Sequence, residues 1–211
     1  TTQQGAGKLN FHYIPMLHSD GLDQKNPISA NLSYVLMYQM GELSLNEQAE
    51  SKDKTVSVLA KTSQKAWTLP GTEFIPNPMY MTVPEEETLA QHNLVLLLEG
   101  TFDSAFDKAP EQYVSKEENA QSTAAQISAE SHLGKSIQRG KIFIAGSSYI
   151  TSQMLIDEYG SQPIAIFVRN AVDYMSGNED LCIMRTKGLG LNVLDVSNQK
   201  QASLVKSLNT Y

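Results

Sequence analysis

An unbroken apolar stretch at residues 94–98 (LVLLL), as long as any in the sequence, is the feature that most constrains its fold. Successive side chains of a β-strand point to opposite faces of the sheet, so an unbroken apolar strand is stable only where both faces are covered. The stretch is far shorter than the roughly 20 apolar residues that cross a bilayer as a helix. We therefore predict a central strand here, and no membrane-spanning helix within this chain.

Other local patterns predict the strands that would surround it. Residues 55–60 (TVSVLA) alternate in polarity, and residues 141–145 (KIFIA) have the composition of a buried strand. Residues 9–16 are rich in aromatic and β-branched side chains, which also favours a strand. Two smaller strands are expected at residues 181–184 and 191–196.

The clearest helical pattern is Pro163–Met175. Its apolar residues recur at the spacing of one helix face, a proline stands in its first turn, and a glycine follows its end. A turn is expected at residues 146–148, a short helix at 152–158 and a terminal helix at 199–208. Strands that alternate with helices in this way predict an α/β sandwich whose sheet is partly parallel.

Negative charge is concentrated in one part of the chain. The net charge is −7, and residues 85–130 alone hold ten acidic residues against two lysines, a net charge of −8. Without a basic patch, the chain is a poor ligand for nucleic acid or for an anionic membrane surface. Residues 110–139 are polar and residues 69–84 contain four of the eight prolines, so both predict loops. We expect the loops at 69–92 and 101–139 to bind partners, the acidic segment steering a basic one.

The turn after the strand at 141–145 is where an α/β enzyme would hold a nucleophile or a phosphate group. Ser147, Ser148 and Tyr149 are the candidate ligand-binding residues of this turn, although the local sequence AGSSY lacks the G-x-S-x-G, Walker and G-x-G-x-x-G patterns. A turn whose serines cap the next helix explains the same residues. The single cysteine, Cys182, has apolar neighbours and is expected to be a buried structural thiol, and one cysteine excludes an internal disulfide.

No metal or cofactor site is expected. The four histidines lack metalloprotease spacing, and a metal cluster built from His12, His18 and the nearby aspartates is disfavoured. The acidic run at residues 85–87 is predicted to be a solvated helix start rather than a calcium-binding loop. Arg169 and Asp173 are four residues apart on the predicted helix and are expected to form a surface ion pair.

Five elements, taken in order, resemble the motifs of a known family. They are residues 26–32 (NPISANL, similar to HPIT-x-NL), 96–106 (LLLEGTFDSAF, similar to ALEGKFxSAF), 141–148 (KIFIAGSS, similar to RLFVVGDS), 170–181 (NAVDYMSGNEDL, similar to NAVDWLTGDEDLI) and 184–187 (MRTK, similar to IRSK). In this order they resemble the auxiliary-component family of ABC transporters associated with gliding motility, over roughly residues 9–196. Ser147 departs from the family pattern, which often has aspartate there.

The resemblance implies a single α/β extracytoplasmic domain at residues 9–196, with a leader at 1–8 and a loop-rich insertion at about 101–139. Residues 197–211 would form a terminal helix that leads toward a missing membrane segment. The fold would be similar in part to flavodoxin and to the class I glutamine amidotransferases, with the N-terminal portion of the family domain missing. We therefore expect an excised piece of a parent protein anchored in the cell membrane.

The same resemblance implies a non-enzymatic role. The expected partners are the ABC transporter permease and its associated membrane components, and no catalytic residue or cofactor follows from the family. Two alternatives stay open. A small hydrolase or transferase would use Ser147 or Ser148 and would need a histidine or carboxylate within hydrogen-bond reach. A carbohydrate- or solute-binding domain would line a groove with Trp67, Tyr80 or Tyr149.

Overall fold

The computed structural model describes residues 12–46, 49, 53–71, 82–107 and 132–187. In these ranges the regular elements are β1 (Met16–His18), β2 (Tyr34–Leu36), β3 (Lys54–Lys61), β4 (Asn93–Gly100), β5 (Gly140–Ala145), α1 (Pro163–Met175) and α2 (Glu179–Thr186), with 3₁₀ turns at Glu86–Thr88 and Ser148–Thr151. The described part is therefore a mixed α/β structure with two small sheets and two helices. No helix in these ranges is long and apolar enough to cross a membrane.

Both sheets of the described part are antiparallel. β1 pairs with β2, and β3, β4 and β5 form a three-stranded sheet in that order. The predicted central strand is confirmed, because β4 lies in the middle and residues 94–97 are each no more than 3% exposed. The expectation of a partly parallel sheet is wrong for these strands. Parallel neighbours need a crossover, usually a helix, whereas both described α-helices follow the last strand.

β5 is an edge strand and is less buried than its composition predicts. Phe143 packs toward α1, with its ring centroid 6.1 Å from that of Phe167. Ile142 and Ile144 point to the other face of the sheet and are 40% and 38% exposed. The prediction of a buried strand at 141–145 is therefore wrong for one of its faces, because composition does not show how many faces are covered.

α1 confirms the clearest helical prediction. Pro163 occupies its first turn, and the chain leaves the helix through Gly177, whose φ of +82° suits glycine. Phe167 is fully buried at the centre of its apolar face, a burial that stabilises the fold by about 1.5–3 kcal/mol. The helix contacts β2 and β5, so it links the two sheets. Its buried residues are Ile164, Ala165, Phe167, Asn170, Ala171 and Tyr174.

Residues 181–184 form part of α2, so the strand predicted there is wrong. Glu179 and Asp180 stand in the first turn of this helix, where negative charge is favourable. Cys182 and Thr186 are one turn apart and are the buried residues of α2. The other apolar residues of the predicted strand, Leu181, Ile183 and Met184, are exposed on this short helix.

Two further local predictions differ from the structure. In the described part of residues 9–16, the strand begins only at Met16, because Pro15 has no amide to donate to a neighbouring strand. The Pro15 carbonyl still accepts a hydrogen bond from the Met37 amide (2.9 Å). Residues 152–158 form turns instead of a helix, since serine and aspartate side chains bond to nearby backbone amides. The leader at 1–8, the strand at 191–196 and the terminal helix all lie outside the described residues.

Candidate functional site

The segments that resemble the family motifs meet around α1. Asn170 begins the fourth of these elements and is fully buried. Its carboxamide donates hydrogen bonds to the carbonyl oxygens of Ile28 (3.1 Å) and Pro27 (3.5 Å) in the first element. That turn is held in shape by Asn26, whose side-chain oxygen accepts a hydrogen bond from the Ile28 amide at 3.0 Å. Residues about 142 positions apart in sequence thus share one buried polar cluster.

Arg185 joins this cluster from α2. Its guanidinium donates to the side-chain oxygen of Asn170 and forms an ion pair with Asp173, an arrangement in which one planar group binds two acceptors. The two charged side chains are only 19% and 24% exposed. The predicted pairing of Asp173 with Arg169 is wrong, because α2 brings Arg185 against Asp173 while Arg169 is exposed.

Cys182 contacts the same cluster. Its thiol is fully buried and donates to the carbonyl oxygen of Asn170 at 3.2 Å. Burial raises the pKa of this thiol, which lowers the fraction of reactive thiolate. The predicted burial of Cys182 is confirmed, although the residue lies in a helix and not in a strand.

A second polar cluster lies at the C-terminal end of α1. The hydroxyl of Tyr174 donates to Glu99 of β4 at 3.2 Å, and the ammonium group of Lys141 lies 3.9 Å from Glu99, 3.4 Å from Glu179 and 3.9 Å from the centre of the Tyr174 ring. Burial, with the negative charges of Glu99 and Glu179, raises the pKa of Tyr174 to about 12. The two clusters together use residues from all five elements of the resemblance, and they fasten the helices to the sheet.

Ser147, Ser148 and Tyr149 follow β5, as the sequence predicts. The hydroxyl of Ser147 accepts a hydrogen bond from the Tyr149 amide (3.2 Å), and the carbonyl of Ser148 accepts one from the Thr151 hydroxyl (3.2 Å). Neither serine hydroxyl is hydrogen-bonded to a histidine or a carboxylate in the described part of the chain. The turn therefore has the geometry of a helix cap, and the hydrolase alternative gains no support from it.

The glycine before these serines is required by packing. The carbonyl of Gly146 accepts a hydrogen bond from the Gly41 amide at 2.8 Å, so two backbone segments touch directly. A Cβ atom at Gly146 would lie 2.0 Å from the Gly41 carbonyl oxygen. The close approach explains the glycine without any ligand.

The aromatic candidates take part in separate contacts. Tyr149 is 41% exposed and packs edge to face with Tyr38, their ring centroids 5.0 Å apart. Trp67 is half-buried, with its ring 5.2 Å from that of His12. Tyr80 lies outside the described residues. The described contacts therefore do not favour a sugar-binding groove over other surfaces.

The contact between His92 and Glu42 was not predicted from the sequence. Nδ1 of His92 lies 2.9 Å from a carboxylate oxygen of Glu42, and the histidine side chain is only 14% exposed. The distance suits an ion pair, but the ring is not aligned for a hydrogen bond. No local spacing could connect residues so far apart in sequence. Nowhere in the described ranges do three or more metal-binding side chains cluster.

The two ends of the insertion at 101–139 are tied together. The amide of Ser104 donates to the Gly134 carbonyl and the amide of Ser136 donates to the Phe102 carbonyl, both at 2.8 Å. We refer to residues 102–106 and 132–136 as the stem. The insertion thus leaves the domain and returns to it at one closed base.

One comparison with known proteins identifies a family whose match covers the first four of the five elements. No curated protein and no solved structure matches the chain significantly. A family model described as "ABC-type uncharacterized transport system" matches residues 1–184, which is most of the 211-residue sequence. The matched range includes both the turn that binds Asn170 and the helix that carries it. The chain therefore belongs to this family of ABC-type transport-system auxiliary components.

Proposed function

We propose that the chain is a non-enzymatic, extracytoplasmic auxiliary domain of an ABC-type transport system, and that it acts by binding the permease and associated membrane components. The observation that carries this proposal is the family match over residues 1–184. A second observation supports it. The side chains of the resembling elements, Asn170 and Arg185 among them, are used in buried contacts between elements of the fold. Recognition would then fall to the loops.

The insertion at 101–139 is the proposed binding region. Its stem fixes both ends of the insertion at one place, and Phe106 and Leu133 at the outer end of the stem are each 54% exposed. The sequence beyond them is acidic and includes Glu111, Glu117 and Glu118. A partner with a basic surface fits this combination, because opposite charge accelerates the encounter and exposed apolar groups stabilise the contact.

The test is co-purification with the permease and the ATPase of the same transport system, expressed together with the full chain. Replacing Glu111, Glu117 and Glu118 by glutamine is expected to weaken binding and to reduce its dependence on salt concentration.

A matched control removes the same amount of charge elsewhere. Replacing Asp20 and Asp180 by asparagine and Glu158 by glutamine removes three exposed acids that lie outside both loops, 69–92 and 101–139. This variant is expected to bind like the wild type. Equal binding and equal salt dependence for the wild type and both variants would refute the role of the insertion. Absence of any association with the permease and ATPase would refute the proposed function itself.

Three finer parts of the proposal need their own measurements. An extracytoplasmic position predicts that a reporter enzyme that works only in the periplasm is active when it is fused to the protein in its native cell. A link to gliding motility predicts that deletion of the parent gene impairs movement over surfaces. A flavodoxin-like sandwich, which the family resemblance implies, predicts a parallel sheet in an experimental structure of the chain.

A further inference from the structure

β5 leaves one edge of the three-stranded sheet open among the described residues. The strand order is β3, β4, β5, so β5 is paired on one side only. The other outer strand, β3, is partly covered. The Leu59 carbonyl accepts a hydrogen bond from the Asp23 amide (3.1 Å), and the Lys61 amide donates to the Gly21 carbonyl (2.9 Å). No described segment covers β5 in this way.

The hydrogen-bonding register shows which groups face the open edge. The Gly146 amide donates to the Leu94 carbonyl of the β4 segment at 3.0 Å, and bonding alternates from residue to residue in an antiparallel pair. The amides and carbonyls of Lys141, Phe143 and Ala145 therefore point outward, and the residues between them bond to β4. None of these outward backbone groups has a hydrogen bond to a described residue.

We propose that β5 pairs in antiparallel fashion with β5 of a second copy of this chain, across a two-fold axis at Phe143. The two three-stranded sheets would then be continuous. This inference goes beyond the proposed function and does not depend on it. It rests on three properties of the edge, which are its hydrogen-bonding symmetry, its lack of opposing charges and its apolar side chains.

The edge is self-complementary in hydrogen bonding. Its outward positions are symmetric about Phe143, so Lys141 of each copy lies opposite Ala145 of the other. All outward groups of both strands then pair, in about six backbone hydrogen bonds. A two-fold contact of this kind uses the same surface on both copies, which is the commonest arrangement of homodimers.

The charges on β5 do not oppose this pairing. Its single charged residue, Lys141, faces a neutral alanine instead of its own copy. The ammonium group is already balanced within the chain by Glu99 and Glu179, at 3.9 and 3.4 Å. Like charges therefore do not meet at the strand edge.

The exposed apolar side chains of β5 also match. In the proposed register Ile142 lies opposite Ile144 of the second copy, and these side chains are 40% and 38% exposed in the single chain. Ile142 and Ile144 are the last residues of two apolar rows, which run across the strands on the sheet face turned away from α1. The rows are Val56, Leu98, Ile142 and Val58, Leu96, Ile144. Pairing would continue both rows into the second copy and remove the isoleucines from water.

The size of the contact sets the expected strength. One strand edge and its side chains bury less than the roughly 1,000 Å² of total area that stable interfaces reach, so we expect a weak, concentration-dependent dimer. The net charge of −7 on each chain adds repulsion at low salt. Added salt screens this repulsion, so salt should strengthen the dimer, the opposite of its effect on the acidic insertion and a basic partner.

The test is sedimentation velocity of the full chain from about 1 to about 200 µM, with the dimer expected at the upper end. Two double variants with different charges test the register of the proposed pairing. Ile142→Lys with Ile144→Lys places like charges opposite each other and should abolish the dimer. Ile142→Lys with Ile144→Glu places opposite charges in the same positions and should restore it, because position 142 of one copy faces position 144 of the other.

A backbone variant examines the hydrogen bonds. Ala145→Pro removes one outward amide and no hydrogen bond within the sheet, and it should weaken the dimer at least about tenfold. Met16→Lys is the control, because Met16 is 53% exposed and lies on β1 in the other sheet, and it should leave the dimer unchanged. If a variant does not fold, hydrogen exchange of the wild-type chain tests the same pairing. The amides of Lys141, Phe143 and Ala145 should exchange more slowly as concentration rises.

Three results would overturn the proposal. The first is a chain that stays monomeric over the whole concentration range, which would leave the β5 edge to a segment of this chain outside the described residues or to a strand of another protein. The second is a dimer that persists in both Ala145→Pro and the double lysine variant. The third is hydrogen exchange at the three outward amides that does not depend on concentration.

Discussion

Asn170 offers the sharpest test of how this fold is held together. Replacing it by alanine removes the donor to the buried Ile28 carbonyl and one acceptor of the Arg185 guanidinium. A buried carbonyl left without a partner costs about 1–3 kcal/mol, and a hydrogen bond to a charged group contributes about 1.5–3 kcal/mol. Arg185 keeps its ion pair with Asp173 and some contact with solvent, which lowers the cost of losing its hydrogen bond to Asn170. We therefore expect Asn170→Ala to destabilise the fold by about 3 kcal/mol.

Urea unfolding followed by circular dichroism gives the free energy of unfolding for this comparison. A double-mutant cycle with Arg185→Met, which keeps an apolar stem, separates the contact with the arginine from the contact with the 26–32 turn. The coupling energy between the two sites should be about 1–2 kcal/mol, as expected for residues in direct contact. The remaining cost of Asn170→Ala belongs to the lost hydrogen bonds to Ile28 and Pro27.

Asn178→Ala is the matched control. It makes the same chemical change at an exposed asparagine next to α2, whose side chain makes no capping hydrogen bond. Its cost should stay within about 0.5 kcal/mol. If Asn170→Ala cost less than about 1 kcal/mol, or no more than the control, the buried cluster would not be a main support of the fold and the reasoning would fail.

Three further predictions follow from the same structure. Gly146→Ala should destabilise the fold by at least about 2 kcal/mol in urea unfolding, because its Cβ would overlap the Gly41 carbonyl oxygen at 2.0 Å, whereas Gly134→Ala meets no atom within 4 Å and should be neutral. The raised pKa of Tyr174 means that the folded state holds the phenolic proton more tightly than the unfolded state, so a stabilisation of at most about 3 kcal/mol is complete below pH 10 and is lost as pH rises to about 12. Tyr174→Phe should lack this part of the alkaline decline in unfolding free energy, and an identical decline would contradict the assignment. Cys182 should react with a thiol reagent only as fast as the protein unfolds, and a rapid reaction of the native protein would show that the thiol is accessible.

Local sequence patterns predicted the elements whose burial pattern is visible in their own residues. β3, β4 and α1 lie where alternation, an unbroken apolar run and helical spacing placed them. These patterns predict structure because each kind of element buries a fixed set of its residues. A strand with one covered face buries one residue in two, a strand with both faces covered buries every residue, and a helix on a core buries one face. α2 was missed because residues 181–184 (LCIM) form a short apolar run that also suits a strand, and its helical face is defined only by contact with α1.

The polar clusters could not be derived from spacing. The i, i+4 rule favoured Arg169 as the partner of Asp173, but the choice of Arg185 depends on how α2 folds back on α1. Likewise, the contact of Asn170 with Ile28 and that of Gly146 with Gly41 join segments that are distant in sequence. The order of the family motifs did signal that these segments matter, although it gave no geometry.

The stem of the insertion has a consequence for how this chain tolerates change in length. Its backbone hydrogen bonds between residues 102–104 and 134–136 fix the ends of the segment whatever lies between them. The entropy of closing such a loop rises only with the logarithm of its length, by about 0.6 kcal/mol for each doubling. A gain or loss of many residues beyond Phe106 would therefore cost the domain little stability. Variants of this chain in which the segment is lengthened, shortened or exchanged are therefore expected to keep the sheet and both helices.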